Sequence, residues 1–146
     1  MLCLVELMSG DIKMGMYTEL VLKCTINSDA PQMVKDVLNH LFAGSRMPDV
    51  IPDHDFFKCS RWSLIGRGSS FYHHPKVVNS VPNFDFTDCF YIFSRSDIKN
   101  YDGEIAKFSD WITPYVDGCG DVCIGWSWYE EDEKPELIIV NKGENK

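Results

Sequence analysis

Residues 16–27 read MYTELVLKCTIN, and their regular alternation decides the class of fold. The even-numbered positions are Met, Thr, Leu, Leu, Cys and Ile, whereas the odd-numbered ones include Glu19 and Lys23. A period of two residues is typical of a β-strand that buries one of its faces. We therefore predict a half-buried strand here and interpret the rest of the chain around it.

A helix is predicted directly after this strand. Residues 28–31, Ser-Asp-Ala-Pro, supply a capping side chain and an early proline, which are signals for a helix start. Apolar residues then recur at helical spacing as far as Gly44, which is a suitable stop. The apolar residues at this spacing are Met33, Val34, Val37, Leu38, Leu41 and Phe42, and Val34, Leu38 and Leu41 are predicted to pack on the sheet.

The second half of the chain repeats the sequence of strand, helix and paired strands. Residues 87–95 form a strand that is apolar on both faces, which is typical of a central or covered strand. A helix is predicted from Asp102 to about Pro114, and strands at 121–129 and 135–140 follow it. In the first of these strands Val122, Ile124, Trp126 and Trp128 are expected to face one way, and Cys123, Gly125 and Ser127 the other.

Within the first half, residues 56–72 are interpreted as two short strands joined by a turn at 66–68. We predict an α+β domain over residues 14–146, with a mainly antiparallel sheet and both helices on one face. Its two halves, 16–72 and 87–140, would form βαββ pseudo-repeats. Residues 1–13 are either an N-terminal extension or a start-site artefact, with translation beginning at Met14 or Met16.

Composition limits the range of functions. The 146 residues are 45% hydrophobic, which is enough for a folded core, and no apolar run reaches the roughly 18 residues that span a bilayer. The net charge of −8 argues against binding to nucleic acid or to anionic membranes. Six cysteines without a secretory signal indicate reduced thiols and a cytoplasmic location.

The stretch from Lys58 to Lys76 is basic and contains no acidic residue. One interpretation is a solvated hairpin that pairs with acidic loops. The alternative is a site for a nucleotide or phosphorylated small ligand, because arginines and a glycine-rich turn bind phosphate well. Its candidate residues are Arg61, Arg67, Gly68, Ser69, Ser70, His73 and His74.

The same stretch leaves an enzymatic alternative open. His73 or His74 would serve a small hydrolase or transferase, with Cys59 or one of the neighbouring serines as the nucleophile. The sequence contains no nucleophile-elbow pattern and no nucleotide-binding signature. Residues 53–55, Cys59 and the two histidines are suitable metal ligands, but their spacing matches no zinc finger. We therefore predict no metal and no cofactor, and we favour a non-enzymatic role.

Three segments together resemble a group of small uncharacterised proteins encoded by bacteriophages and prophages. They are MGMYTEL at 14–20, FFKC at 56–59 with Arg61 and Trp62, and RSDIKNY at 95–101. The resemblance covers most of residues 14–140 and implies an accessory protein in the cytoplasm of an infected bacterium. It implies no activity and no functional residues. The leading hypothesis is binding to a host or phage protein, with a homodimer as a further expectation.

Overall fold

A computed structural model describes residues 16–66, 78–80, 83–84 and 89–143. The predicted extension 1–13 lies outside the described residues. The strands are β1 (Thr18–Ile26), β2 (Val78–Ser80), β3 (Asn83–Phe84), β4 (Cys89–Ile98), β5 (Asp121–Tyr129) and β6 (Glu136–Asn141). The α-helices are α1 (Gln32–Ala43) and α2 (Glu104–Ile112). Short 3₁₀ helices cover Asp55–Lys58, Trp62–Leu64 and Thr113–Tyr115.

The strands form an antiparallel sheet in the order β2-β4-β1-β5-β6, and β3 also pairs with β4. β1 therefore lies between β4 and β5. Its even-numbered side chains from Leu20 to Ile26 are buried, as its alternation predicts. Neither helix in the described part of the chain is long and apolar enough to cross a membrane.

Both helices pack over the same face of the sheet. The buried side chains of α1 and α2 share one core cluster with the even-numbered side chains of β1. The Phe42 ring of α1 meets the Phe108 ring of α2 at a centroid distance of 6.0 Å. Phe56 packs on Phe108 at 5.4 Å, so the first 3₁₀ helix lies against α2. The predicted α+β fold, with an antiparallel sheet and two helices on one face, is confirmed.

Residues 56–66 correct one part of the prediction. Two strands were expected to begin here, but the described residues form 3₁₀ helices instead. The backbone bonds are local: the N–H of Phe57 donates to His54 O, and the N–H of Cys59 donates to Phe56 O. Phe56 and Cys59 are buried, three residues apart, which is the period of a 3₁₀ turn and not that of a strand.

Gly66, which was predicted to begin a hairpin turn, follows the second 3₁₀ helix, and the other two residues of the predicted turn lie outside the described residues. A Cβ at this position would meet the backbone carbonyl of Leu41 and the ring of Phe42. The glycine therefore allows the segment to approach α1 closely, which is a packing role. The Ser96 hydroxyl donates to the carbonyl of Ile65 at 2.8 Å and ties the same segment to β4.

The structure also corrects the prediction of which β5 side chains point to the same face of the sheet. The pairing of β5 with β6 shifts register between Cys123 and Gly125, as a β-bulge does. Because the bulge adds one residue, the alternation changes phase. Ile124 is fully buried in the core cluster, whereas Trp126 lies opposite Val21 on the other face. The single facing predicted for Val122, Ile124, Trp126 and Trp128 is therefore wrong.

The cysteines give a prediction about reactivity. Cys24 and Cys59 are buried free thiols, and Cys119 and Cys123 are exposed ones. Burial raises the pKa of Cys24 to about 12, so at pH 8 only about one Cys24 thiol in ten thousand is ionised. Iodoacetamide at pH 8 should label Cys119 and Cys123 within minutes and leave Cys24 unlabelled until denaturant is added. Peptide mass spectrometry reads the result, and early labelling of Cys24 in native protein would contradict its burial.

Candidate functional site

The face of the sheet that points away from the helices is the candidate site, and we call it the open face. Directly opposed residues on antiparallel strands share a face. Val21 on β1 lies opposite Arg95 of β4 and Trp126 of β5, and Leu137 of β6 lies opposite Trp126. The open face includes Val21, Tyr91, Phe93, Arg95, Trp126, Trp128, Leu137 and Ile139.

An apolar strip along β5 and β6 is exposed on the open face. The exposed fraction is 38% for Trp128, 63% for Leu137 and 49% for Ile139. Trp126 and Leu137 are cross-strand neighbours, so the strip is continuous. Contiguous exposed apolar surface marks interaction sites more often than single apolar residues do. We call Trp126, Trp128, Leu137 and Ile139 the β5–β6 strip.

The strip lies at an edge of the sheet. β6 pairs with β5 on one side, and no other described strand pairs with it. The outward N–H and C=O groups of such a strand are a ready template for another chain. Edge strands are usually protected by charge or by cover, and the exposed Leu137 and Ile139 provide neither.

Hydrogen bonds hold parts of the open face in place. The indole Nε1 of Trp128 donates to the carbonyl of Asp132 at 2.9 Å, which fixes the ring against the β5–β6 turn. Arg95 and Glu19 form an ion pair of 2.7 Å between β4 and β1, and both side chains are partly exposed. A fixed surface loses little conformational entropy on binding, which favours recognition.

The turn beside the strip is strongly acidic. Residues 130–136 carry five carboxylates and one lysine, Lys134. The backbone N–H of Tyr17 donates to Glu130 Oε1 at 2.9 Å, so one end of the turn is anchored to the start of β1. Desolvation first, and then the carboxylates of Glu131 and Glu130, raise the pKa of Tyr129. The strip therefore ends in a region of negative potential.

The structure places only part of the predicted ligand site. Arg61 lies with its guanidinium 5.6 Å from the ring centroid of Tyr101 and lines a small cavity. Lys58 forms a surface ion pair with Asp55 at 3.2 Å. The other candidates lie outside the described residues: Arg67, Gly68, Ser69, Ser70, His73 and His74. The phosphorylated-ligand site and the hydrolase or transferase role stay predictions.

His54 and Cys59, whose side chains are of metal-ligating types, have structural contacts. His54 Nδ1 accepts from the N–H of Phe56 at 3.0 Å, so Nε2 carries the hydrogen that it donates to Asp110 Oδ2 at 2.9 Å. The Cys59 thiol lies 3.9 Å from the carbonyl oxygen of Asp55. Among the described residues, no three side chains of the His, Cys, Asp and Glu types are placed to hold a metal ion.

Comparison with known proteins adds no relative. No family model, curated protein or solved structure matches this chain. The resemblance to bacteriophage and prophage proteins therefore stays a prediction.

Sequence reasoning missed the edge of the open face. Leu137 and Ile139 were included in the last strand, but their exposure was not anticipated. A signal was present, because residues 137–140 read LIIV and are apolar on both faces of a strand. The same pattern in residues 87–95 was interpreted as a covered strand, and that reasoning applies equally to β6.

Proposed function

We propose that this chain binds another protein through the open face. The contact would centre on the β5–β6 strip, and the partner would present apolar side chains beside lysines or arginines. The observation that supports this most is the juxtaposition of exposed Trp128 and Leu137 with the five carboxylates of residues 130–136. Tryptophan is among the residues most often found at the energetic centre of protein interfaces.

The charge favours a partner of a different kind over a second copy. The chain carries a net charge of −8, so two copies repel each other at long range. A basic partner is attracted, which accelerates association and aligns the two surfaces. A homodimer through the same face is therefore the less favoured alternative.

The proposed context is that of a non-enzymatic accessory protein in the cytoplasm of an infected bacterial host. A host or phage protein is then the partner. The apolar edge strand supports this role because such a strand is normally protected in a chain that binds nothing. The context itself is inferred from the resemblance to bacteriophage and prophage proteins.

The test compares two substitutions that introduce the same charge. Leu137→Asp places a carboxylate in the strip, and Val50→Asp does so in the loop after α1, where the parent side chain is 65% exposed against 63% for Leu137. Immobilised parent protein and Val50→Asp should capture the same partner from a lysate of the native host cell. Leu137→Asp should lose it, with affinity at least about 30-fold lower, the factor for a hot-spot residue.

Two further measurements complete the test. Reversing charge with Glu131→Lys should slow association with the captured partner and reduce the salt dependence of the rate. Equal capture by Leu137→Asp and the parent would reject the open face as the binding surface. Sedimentation of a parent dimer that Leu137→Asp converts to a monomer would instead assign the face to a second copy.

A further inference from the structure

A small cavity lies where β4 ends and α2 begins, away from the β5–β6 strip. Its volume is about 130 Å³. Two carboxylates, Asp97 and Glu104, and two cations, Arg61 and Lys99, contribute to its wall together with Tyr17. Aliphatic side chains, among them Ile65 and Ile98, complete the lining. Charges of both signs around so small a space are unusual, because charged side chains normally lie in open solvent.

Both acidic residues of the lining are buried. Glu104 is 1% exposed, and Asp97 is also buried. Glu104 Oε1 accepts a hydrogen bond from the backbone N–H of Asp102 at 3.0 Å, but its Oε2 is buried with no hydrogen-bond partner. The N-terminus of α2 favours a negative charge here, yet it supplies no donor to that oxygen. A buried carboxylate oxygen without a donor costs free energy, which a bound donor would recover.

The two cations are nearer to solvent and are held by aromatic rings. Arg61 lies 5.6 Å from the Tyr101 centroid, and Lys99 lies 6.0 Å from the same centroid. Lys99 also lies 5.4 Å from the ring of Tyr17. Stacking of this kind orients a cation without neutralising it. The described part of the chain shows neither Arg61 nor Lys99 in an ion pair, so both charges are available to a ligand.

We propose that this cavity binds a small free zwitterion, an α-amino acid with a short side chain. The ligand's ammonium group would donate to Glu104 Oε2, and its carboxylate would accept from Arg61 and Lys99. A cavity of about 150 Å³ accommodates a molecule the size of benzene, so only a ligand of a few heavy atoms fits the space here. Phosphate alone is disfavoured, because it would lie beside two carboxylates. This binding is independent of the proposed protein contact.

Thermal unfolding with a panel of ligands tests the proposal. The panel contains the twenty common amino acids, with acetate and ethylamine as probes that carry only one of the two charges, and inorganic phosphate. One or a few small amino acids should raise Tm by roughly 5 to 10 °C at a hundred times Kd, whereas the three control compounds should not. A Tm unchanged by every amino acid, or raised as much by acetate or phosphate, would overturn the proposal.

Variants separate ligand recognition from folding. Arg61→Gln should abolish the ligand-induced shift while the Tm without ligand stays within about 2 °C of the parent, because Arg61 is exposed. Arg46→Gln is the matched control, since Arg46 pairs with Asp49 on the surface at 3.2 Å and lies outside the cavity lining. It should keep the shift. Equal shifts in the two arginine variants would refute the assignment.

Glu104→Gln is a second test, in which the Tm without ligand and the ligand-induced shift should change in opposite directions. The amide oxygen can still accept from the N–H of Asp102, while the buried charge is removed. The Tm without ligand should therefore rise, and the ligand-induced shift should disappear. A variant that keeps the parent's shift would show that the Glu104 carboxylate does not bind the ammonium group.

Discussion

Trp111→Ala is expected to lower the free energy of unfolding by about 3–5 kcal/mol, the range for truncating a large buried aromatic side chain. Trp111 is 5% exposed and belongs to the core cluster. Its ring stacks on Phe56 at 6.0 Å and meets the edge of Phe57 at 5.0 Å, so its removal leaves a cavity between α2 and the first 3₁₀ helix. Urea denaturation of parent and variant measures the difference. Domains of this kind are stable by about 5–15 kcal/mol in total, so the variant approaches unfolding.

Trp128→Ala is the matched control, because it removes the same side chain from the open face. The ring of Trp128 is partly exposed and makes one hydrogen bond to Asp132. We expect a loss of about 1 kcal/mol, the value for such a bond, with some loss of apolar burial. Similar losses for the two tryptophan variants would mean that the side of α2 that carries Trp111 is not the buried one.

Gly125→Ala is expected to destabilise the domain by more than about 4 kcal/mol, a magnitude reserved for a few severe mechanisms. Gly125 has φ +147°, which L-residues rarely adopt, and an added Cβ would collide with the backbone carbonyl of Val21. That carbonyl belongs to β1, so relief of the collision requires the β1–β5 pairing to open. The measurement is again urea denaturation, or the yield of folded protein if the variant does not fold.

Gly120→Ala controls for backbone strain without collision. Gly120 has φ +65°, and an added Cβ there meets no heavy atom within 4 Å. Its substitution should cost only about 1–2 kcal/mol, the penalty for a non-glycine residue in the left-handed region. Equal losses at the two glycines would show that strain alone, and not contact with β1, fixes residue 125.

Much of the fold follows from local periodicity. The alternation in residues 16–27 predicts β1, and the helical spacing of Val34, Leu38 and Leu41 predicts α1 with its buried side. The bulge in β5 could not be predicted in this way, because it depends on the close approach of Gly125 to Val21. Residues 56–66 were misinterpreted because Phe56, Cys59 and Trp62 follow a period of three, which a search for alternation overlooks.

The candidate sites were harder to predict, because they depend on burial that tertiary packing decides. Asp97 and Glu104 occur in polar segments of the sequence, where carboxylates are expected to be solvated. In the structure both line a cavity with Ile65, whose carbonyl accepts a hydrogen bond from Ser96 of β4, a contact that local sequence does not encode. The open face was partly foreseen, since the two-sided apolar pattern of residues 87–95 indicated a covered surface.

The position of β1 in the sheet also has a consequence for synthesis on the ribosome. Among the strands that the structure describes, β1 is translated first, yet its partners come much later, since Thr18 pairs with both Ile98 and Tyr129. At about 5–20 residues per second, an emerging β1 waits for several seconds before either neighbour exists. During that time both of its edges are unpaired, and a strand in that state can associate with other nascent chains. Slow or stalled translation before β5 should therefore favour aggregation, and a chaperone that holds β1 should favour folding.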